Sequence, residues 1–106
     1  MRLTLSIILF FGLAACSSKN TEKAVIKIPT SICGECARTI RTAVMKVNGV
    51  TEAEINTDTK MAVIEYIPTV VKVADLERSI VLAGYDANDK KRDPEAYDKL
   101  PECCKK

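Results

Sequence analysis

Between residues 24 and 91 the apolar residues of this chain switch from a two-residue period to a helical one and back, twice over. Ala24, Ile26 and Ile28 alternate with Val25 and Lys27, the pattern of a strand, and Pro29 closes it. Ile40, Ala43, Val44 and Val47 then recur at helical spacing, opposite Arg38, Arg41 and Lys46, and Asn48-Gly49 follows as a stop. Thr51 to Asn56 alternates again, Thr57-Asp58-Thr59-Lys60 is a polar turn, and Met61 to Ile67 forms the β-branched second arm of a hairpin. After Pro68, Val73, Leu76, Ile80 and Ala83 make a second helical stripe ending at Gly84. Tyr85 to Lys91, short and polar, fits an edge strand at most. The order β-α-β-β-α-β predicts an α+β ferredoxin-like sandwich, two helices on one face of a four-stranded antiparallel sheet.

At 106 residues the chain has room for one small domain only. Sixteen basic residues against 14 acidic ones give a net charge of +2, with no basic run, which argues against nucleic acid as a partner. His is absent, so histidine acid–base chemistry and histidine metal ligation are excluded. Five cysteines therefore carry the chemistry: Cys16, Cys33, Cys36, Cys103 and Cys104.

Cys16 belongs to an address. Met1-Arg2 is followed by an uncharged stretch from Leu3 to Ala15, shorter than the roughly 20 apolar residues a transmembrane helix needs. Its end, Leu13-Ala14-Ala15-Cys16, resembles the lipobox of bacterial lipoproteins. That resemblance implies a signal peptide over 1–15, cleavage before Cys16, lipidation of that residue, and anchoring to a membrane of the cell envelope, the outer membrane in a Gram-negative source. An ordinary secretory signal is the alternative. Loss of Arg2 with the leader lowers the charge to +1. Residues 16–23 then read as a lipidated cysteine and polar tether, of which Ser17 to Lys23 spans roughly 24 Å when extended.

Cys33-Gly34-Glu35-Cys36 falls between the first strand and the first helix. Spacing i, i+3 at a helix start puts two sulfurs on one side of a tight loop, where free amides and the positive helix end favour thiolates. Such a pair suits a soft ion, Cu(I), Hg(II), Cd(II) or Zn(II), and is equally a possible redox pair or a small structural disulfide.

The segment Thr30-Ser31-Ile32-Cys33-Gly34-Glu35-Cys36 resembles the metal loop of heavy-metal-associated domains, the family of copper chaperones, copper-exporting ATPase repeats and the periplasmic mercury-binding protein. Val47-Asn48-Gly49-Val50, Ala62-Val63-Ile64-Glu65-Tyr66-Ile67-Pro68 and Ile80-Val81-Leu82-Ala83-Gly84-Tyr85 resemble the same family in the same order. The resemblance implies a domain over 24–91 that binds one soft metal ion, Cu(I) foremost, through Cys33 and Cys36. It implies a non-enzymatic carrier that exchanges metal with a metal-transporting membrane protein or another metal-binding domain, one thiolate at a time. Tyr85 matches a position packed near the metal loop. Ser31 stands where the family usually has a Met under that loop, which bears on loop rigidity and metal preference.

Residues 92–106 lie beyond the resemblance. Asp93-Pro94 is a helix start, Ala96, Tyr97 and Leu100 make a short apolar face, and Pro101 ends it. Cys103 and Cys104 are too close along the chain to bond each other without strain, with Cα atoms about 3.8 Å apart. They are further candidate ligands. Residues 92 to 102 reach roughly 25 Å, enough to return along a strand to the Cys33–Cys36 loop. A second independent site, an intermolecular thiol contact and disulfides between the pairs are the other readings, and an exposed two-thiolate loop also allows a metal-bridged dimer.

Overall fold

In the computed structural model, residues 20–105 are described. The leader, Cys16 and the start of the tether lie outside them. The described elements are β1 (Glu22–Lys27), α1 (Gly34–Met45), β2 (Val50–Asn56), β3 (Met61–Tyr66), α2 (Val73–Leu82), α3 (Pro94–Asp98) and a 3-10 turn (Glu102–Cys104). The first strand begins two residues earlier than the alternation suggests, taking Glu22 and Lys23 out of the tether.

β3 is the central strand, with β1 and β2 antiparallel on either side of it. Ala24 faces Ile64 and Ile26 faces Ala62 across one seam; Ala53 faces Ile64 and Ile55 faces Ala62 across the other. This register puts the alternating apolar residues of three strands on one face. Ile40 and Val44 from α1 and Leu76 and Ile80 from α2 cover that face, and all four are fully buried with Ile26, Ile28 and Ile64. The helical stripes thus pack as their spacing predicts, with two exceptions, the first being Ala43, which is only half-buried and lies outside the core cluster. Val73 is largely exposed, and Val71, just before α2, enters the core instead.

The expected fourth strand does not form. Among the described residues the sheet has three strands, and Tyr85 to Lys91 contributes only an isolated bridge between Ala87 and Lys90. The reason lies at Asn88, which adopts a left-handed conformation with φ of 54° and turns the chain back at once. A single rung remains where a fourth strand would pair. The Asn88 amide donates to the Lys27 carbonyl at 2.8 Å, and the Lys27 amide donates to Asn88 Oδ1 at 2.9 Å. Ala87 is buried against the same core.

The tail folds as its cap predicts. Asp93 Oδ2 accepts from the Ala96 amide at 3.1 Å, and Pro94 occupies the first turn of α3. Pro101 ends that segment and leads into the turn that carries both terminal cysteines.

Candidate metal centre

Cys33 is the residue that caps α1, in an extended conformation with φ of −151° and ψ of 171°. Its side chain makes no capping bond, so the sulfur is left at the rim of the domain, half-buried. Three residues on, Cys36 lies in the first turn of the helix on the face that meets the core, fully buried. The result is one thiol below and one at the surface, with sulfurs 3.2 Å apart.

The tail brings the other pair to the same place. Cys104 Sγ lies 3.6 Å from Cys33 Sγ, and Cys103 Sγ lies 3.9 Å from Cys104 Sγ. The sulfurs of Cys33, Cys103 and Cys104 all fall within 4.8 Å of one another. Cys104 is buried and Cys103 exposed, and all four cysteines are free thiols. Of the open readings for Cys103 and Cys104, the structure places them beside the first pair rather than at a separate location.

What seats the tail was not legible as a site feature. Gly84 reads in the sequence as a helix stop, and its φ of 102° agrees. It is also a clearing. A Cβ there would stand 3.0 Å from Leu100 Cδ1 and 3.1 Å from the backbone of Ala96 and Tyr97. The missing side chain lets α3 lie directly on the end of α2. Two further ties hold the approach: the Asp93 amide donates to the Val81 carbonyl at 3.1 Å, and the Arg92 guanidinium sits 3.7 Å above the Tyr97 ring. Asp86 Oδ1 accepts from the Arg92 amide at 2.9 Å, fixing the start of this segment.

The thiols of Cys33, Cys103 and Cys104 are electrostatically unequal. Hydrogen bonds from the Cys36 thiol and then the Cys36 amide hold the Cys33 sulfur's pKa down at about 7, against the opposing effect of partial desolvation, with smaller help from Cys104 and Cys103. Cys104 is pushed the other way, chiefly because burial disfavours its thiolate. Cys103 is raised mainly by the neighbouring Cys33 sulfur. Near neutral pH Cys33 is therefore partly ionised, while the raised Cys103 and Cys104 thiols keep their protons.

Tyr85 and Ser31 are both completely buried. Burial first, then the adjoining Cys104 and Cys36 sulfurs, raise the Tyr85 hydroxyl above the usual phenol range, and its oxygen has no hydrogen-bond partner among the described residues. Tyr85 thus forms part of the wall behind the thiols. Ser31 Oγ is likewise without a hydrogen-bond partner among the described residues, while its amide donates to the Ile28 carbonyl at 3.0 Å.

The fold and this cluster together define a class: a small ferredoxin-like domain with a cysteine pair at the head of its first helix. Residues 25–86 match the family model of the heavy-metal-associated domain, so the chain belongs to the heavy-metal-associated domain family. It is 32% identical over 83 residues to the mercuric transport protein periplasmic component of Shewanella putrefaciens, spanning 77% of this chain and 91% of that protein. It is 33% identical over 66 residues to the copper chaperone CopZ of Staphylococcus epidermidis, spanning 62% of this chain and 96% of that one. Oxidized MerP from Ralstonia metallidurans CH34 superposes with a TM-score of 0.63 at 26% identity, covering 65% of this chain and 96% of its own. The family match ends at residue 86, before the tail.

Proposed function

We propose that this chain is a soft-metal carrier of the cell envelope, which takes up one thiophilic ion through the Cys33 and Cys36 thiolates and passes it on by ligand exchange. The observation that carries the reading is the pair of unbridged sulfurs 3.2 Å apart at the start of α1, one at the surface and one beneath it. Thiolate-only donors select Cu(I), Hg(II), Cd(II) or Zn(II) over hard cations. The copper and mercury names of the relatives put Cu(I) and Hg(II) first among these.

Transfer needs no chemistry beyond making and breaking metal–sulfur bonds. The ready Cys33 thiolate engages the incoming ion, Cys36 follows, and each ligating thiol releases its proton to solvent. Release runs in reverse onto the thiolates of a metal-transporting membrane protein or another metal-binding domain. The chain is a carrier in this scheme and not a catalyst. Leu13-Ala14-Ala15-Cys16 supports the placement: lipid on Cys16 would hold the domain near the envelope membrane where such a transporter sits.

Anaerobic titration of the reduced protein with Cu(I) and Hg(II), against a competing chromophoric chelator, tests the reading. Tight one-to-one binding that is lost in Cys33→Ser/Cys36→Ser is the expected result. Absence of tight binding, with a reversible Cys33–Cys36 disulfide of high reduction potential, would replace it with thiol–disulfide exchange. Separately, Cys16→Ser should move the protein from the membrane fraction to the soluble one.

A further inference from the structure

We propose that Cys103 and Cys104 complete a closed thiolate cage with Cys33 and Cys36, so that the chain holds its ion in three- or four-sulfur coordination. This rests on the soft-metal reading above and extends it to the class of ion and the manner of holding: a d10 cation enclosed by sulfur, rather than one suspended between two thiolates.

Three sulfur–sulfur distances bear on the geometry. With metal–sulfur bonds of about 2.3 Å, two ligands on opposite sides of an ion stand about 4.6 Å apart, while the edge of a tetrahedral sulfur site is about 3.8 Å. The Cys33–Cys104 and Cys103–Cys104 separations are 3.6 Å and 3.9 Å, on either side of the tetrahedral edge. Cys33 is the shared corner, 3.2 Å from Cys36, and that edge needs to open by about 0.6 Å. Three corners, Cys33, Cys103 and Cys104, already lie within 4.8 Å of one another, and Cys36, joined to them through Cys33, has to swing toward the tail pair to become the fourth.

The chain also spends structure on this placement. Asp93 caps α3, Gly84 clears space for it, and the 3-10 turn then returns both sulfurs to the head of α1. Adjacent cysteines are poorly suited to bonding each other, which leaves both available as ligands. As each metal–sulfur bond forms, the S–H bond of that thiol breaks and its proton goes to solvent, so no oxidant or reductant is involved. Cys103, exposed while Cys104 is buried, is the corner that an incoming thiol reaches first.

Cd(II) is a suitable probe, because its sulfur charge-transfer absorbance grows with the number of thiolates bound. The full chain carrying Cys16→Ser, reduced and anaerobic, leaves only the four clustered thiols. One Cd(II) per chain is expected. In Cys103→Ser/Cys104→Ser the absorbance per ion should fall by about half, and affinity by at least about 100-fold, since even an outer-shell partner is worth about 10–100-fold. A second measurement leaves the four sulfurs in place: one equivalent of Cd(II) should protect exposed Cys103 from alkylation, read by peptide mass spectrometry. Equal absorbance and affinity in the double variant would overturn the cage while leaving the Cys33–Cys36 reading intact. So would a Cys103 alkylation rate that Cd(II) does not change. One Cd(II) per two chains, with a doubled hydrodynamic mass, would overturn it in favour of a shared ion between two copies. Failure of Cd(II), Cu(I) and Hg(II) alike to bind would remove both readings.

Discussion

The Cys33 and Cys104 sulfurs are 3.6 Å apart although 71 residues separate them along the chain. One sits at the head of the first helix, the other in the last turn of the protein. Everything between them, a hairpin, a second helix and a capped tail, acts as the spacer that closes this distance. The tail thereby lies against the Cys33–Cys36 loop, although the family match stops before it.

Cys33 should be the most reactive thiol at neutral pH. Its pKa is lowered from 9.0 to about 7, first by the Cys36 thiol, so its alkylation rate should rise with a midpoint near pH 7. Cys36→Ser removes the largest cause and should move that midpoint upward. Linkage gives the sign for stability. The unfolded chain binds more protons at Cys33 between about pH 7 and 9, so this group favours folding as pH rises through that window, and its contribution is lost as pH falls through about 7. Cys104, raised by burial, acts oppositely above pH 9, where only the unfolded thiol ionises. Rates followed residue by residue, and urea midpoints across pH 6–10, check both signs.

Gly84→Ala should both destabilise the domain and loosen the tail. A left-handed conformation costs a residue with a Cβ about 1–2 kcal/mol, and the new methyl would stand 3.1 Å from the α3 backbone. A loss of about 2 kcal/mol or more in urea unfolding is expected, with faster alkylation of Cys104. Unchanged Cys104 protection would mean that the tail is held by something other than its seat on Gly84.

Asn88→Ala should cost about 1–2 kcal/mol without changing metal affinity by more than about twofold. The substitution removes the side-chain bond accepted from the Lys27 amide and that donated to Glu77 at 2.7 Å, and places alanine at a positive φ. Asn88→Gly should recover part of the loss, because glycine restores the backbone conformation but not the bonds. Equal losses in the two variants would assign the whole cost to the side chain.

Ser31→Ala should be neutral or stabilising, by up to about 1 kcal/mol. It deletes a fully buried hydroxyl that has no hydrogen-bond partner among the described residues, an arrangement that costs free energy. Metal affinity should stay within about twofold if Ser31 only fills space behind the loop. A larger fall in affinity would show that its oxygen takes part in holding the loop or the ion.

Much of the fold is local and therefore legible in the sequence. The period of the apolar residues placed Ile26, Ile40, Val44, Leu76 and Ile80 in the core, because burial of one face is what sets that period. Asp93 and Pro94 announced α3 because capping is a property of neighbours in the chain. The Cys33–Cys36 pair was legible for the same reason, its spacing being the pitch of a helix turn.

What only the tertiary structure decided is long-range. Val71, just before α2, enters the core, while Val73 at the start of that helix stays exposed. The fourth strand reduces to one rung because Asn88 turns the chain before pairing can extend, held there by Glu77 on α2 and by Lys27, 61 residues away along the chain. The cysteine composition set the chemistry, thiolate and soft, but could not say whether Cys103 and Cys104 come near the Cys33–Cys36 loop. That depended on Gly84, where an absent side chain lets the tail approach and carry Cys103 and Cys104 to Cys33. Spacing along a chain determines which groups are neighbours within one turn; the packing of one element on another determines which of them meet across 71 residues.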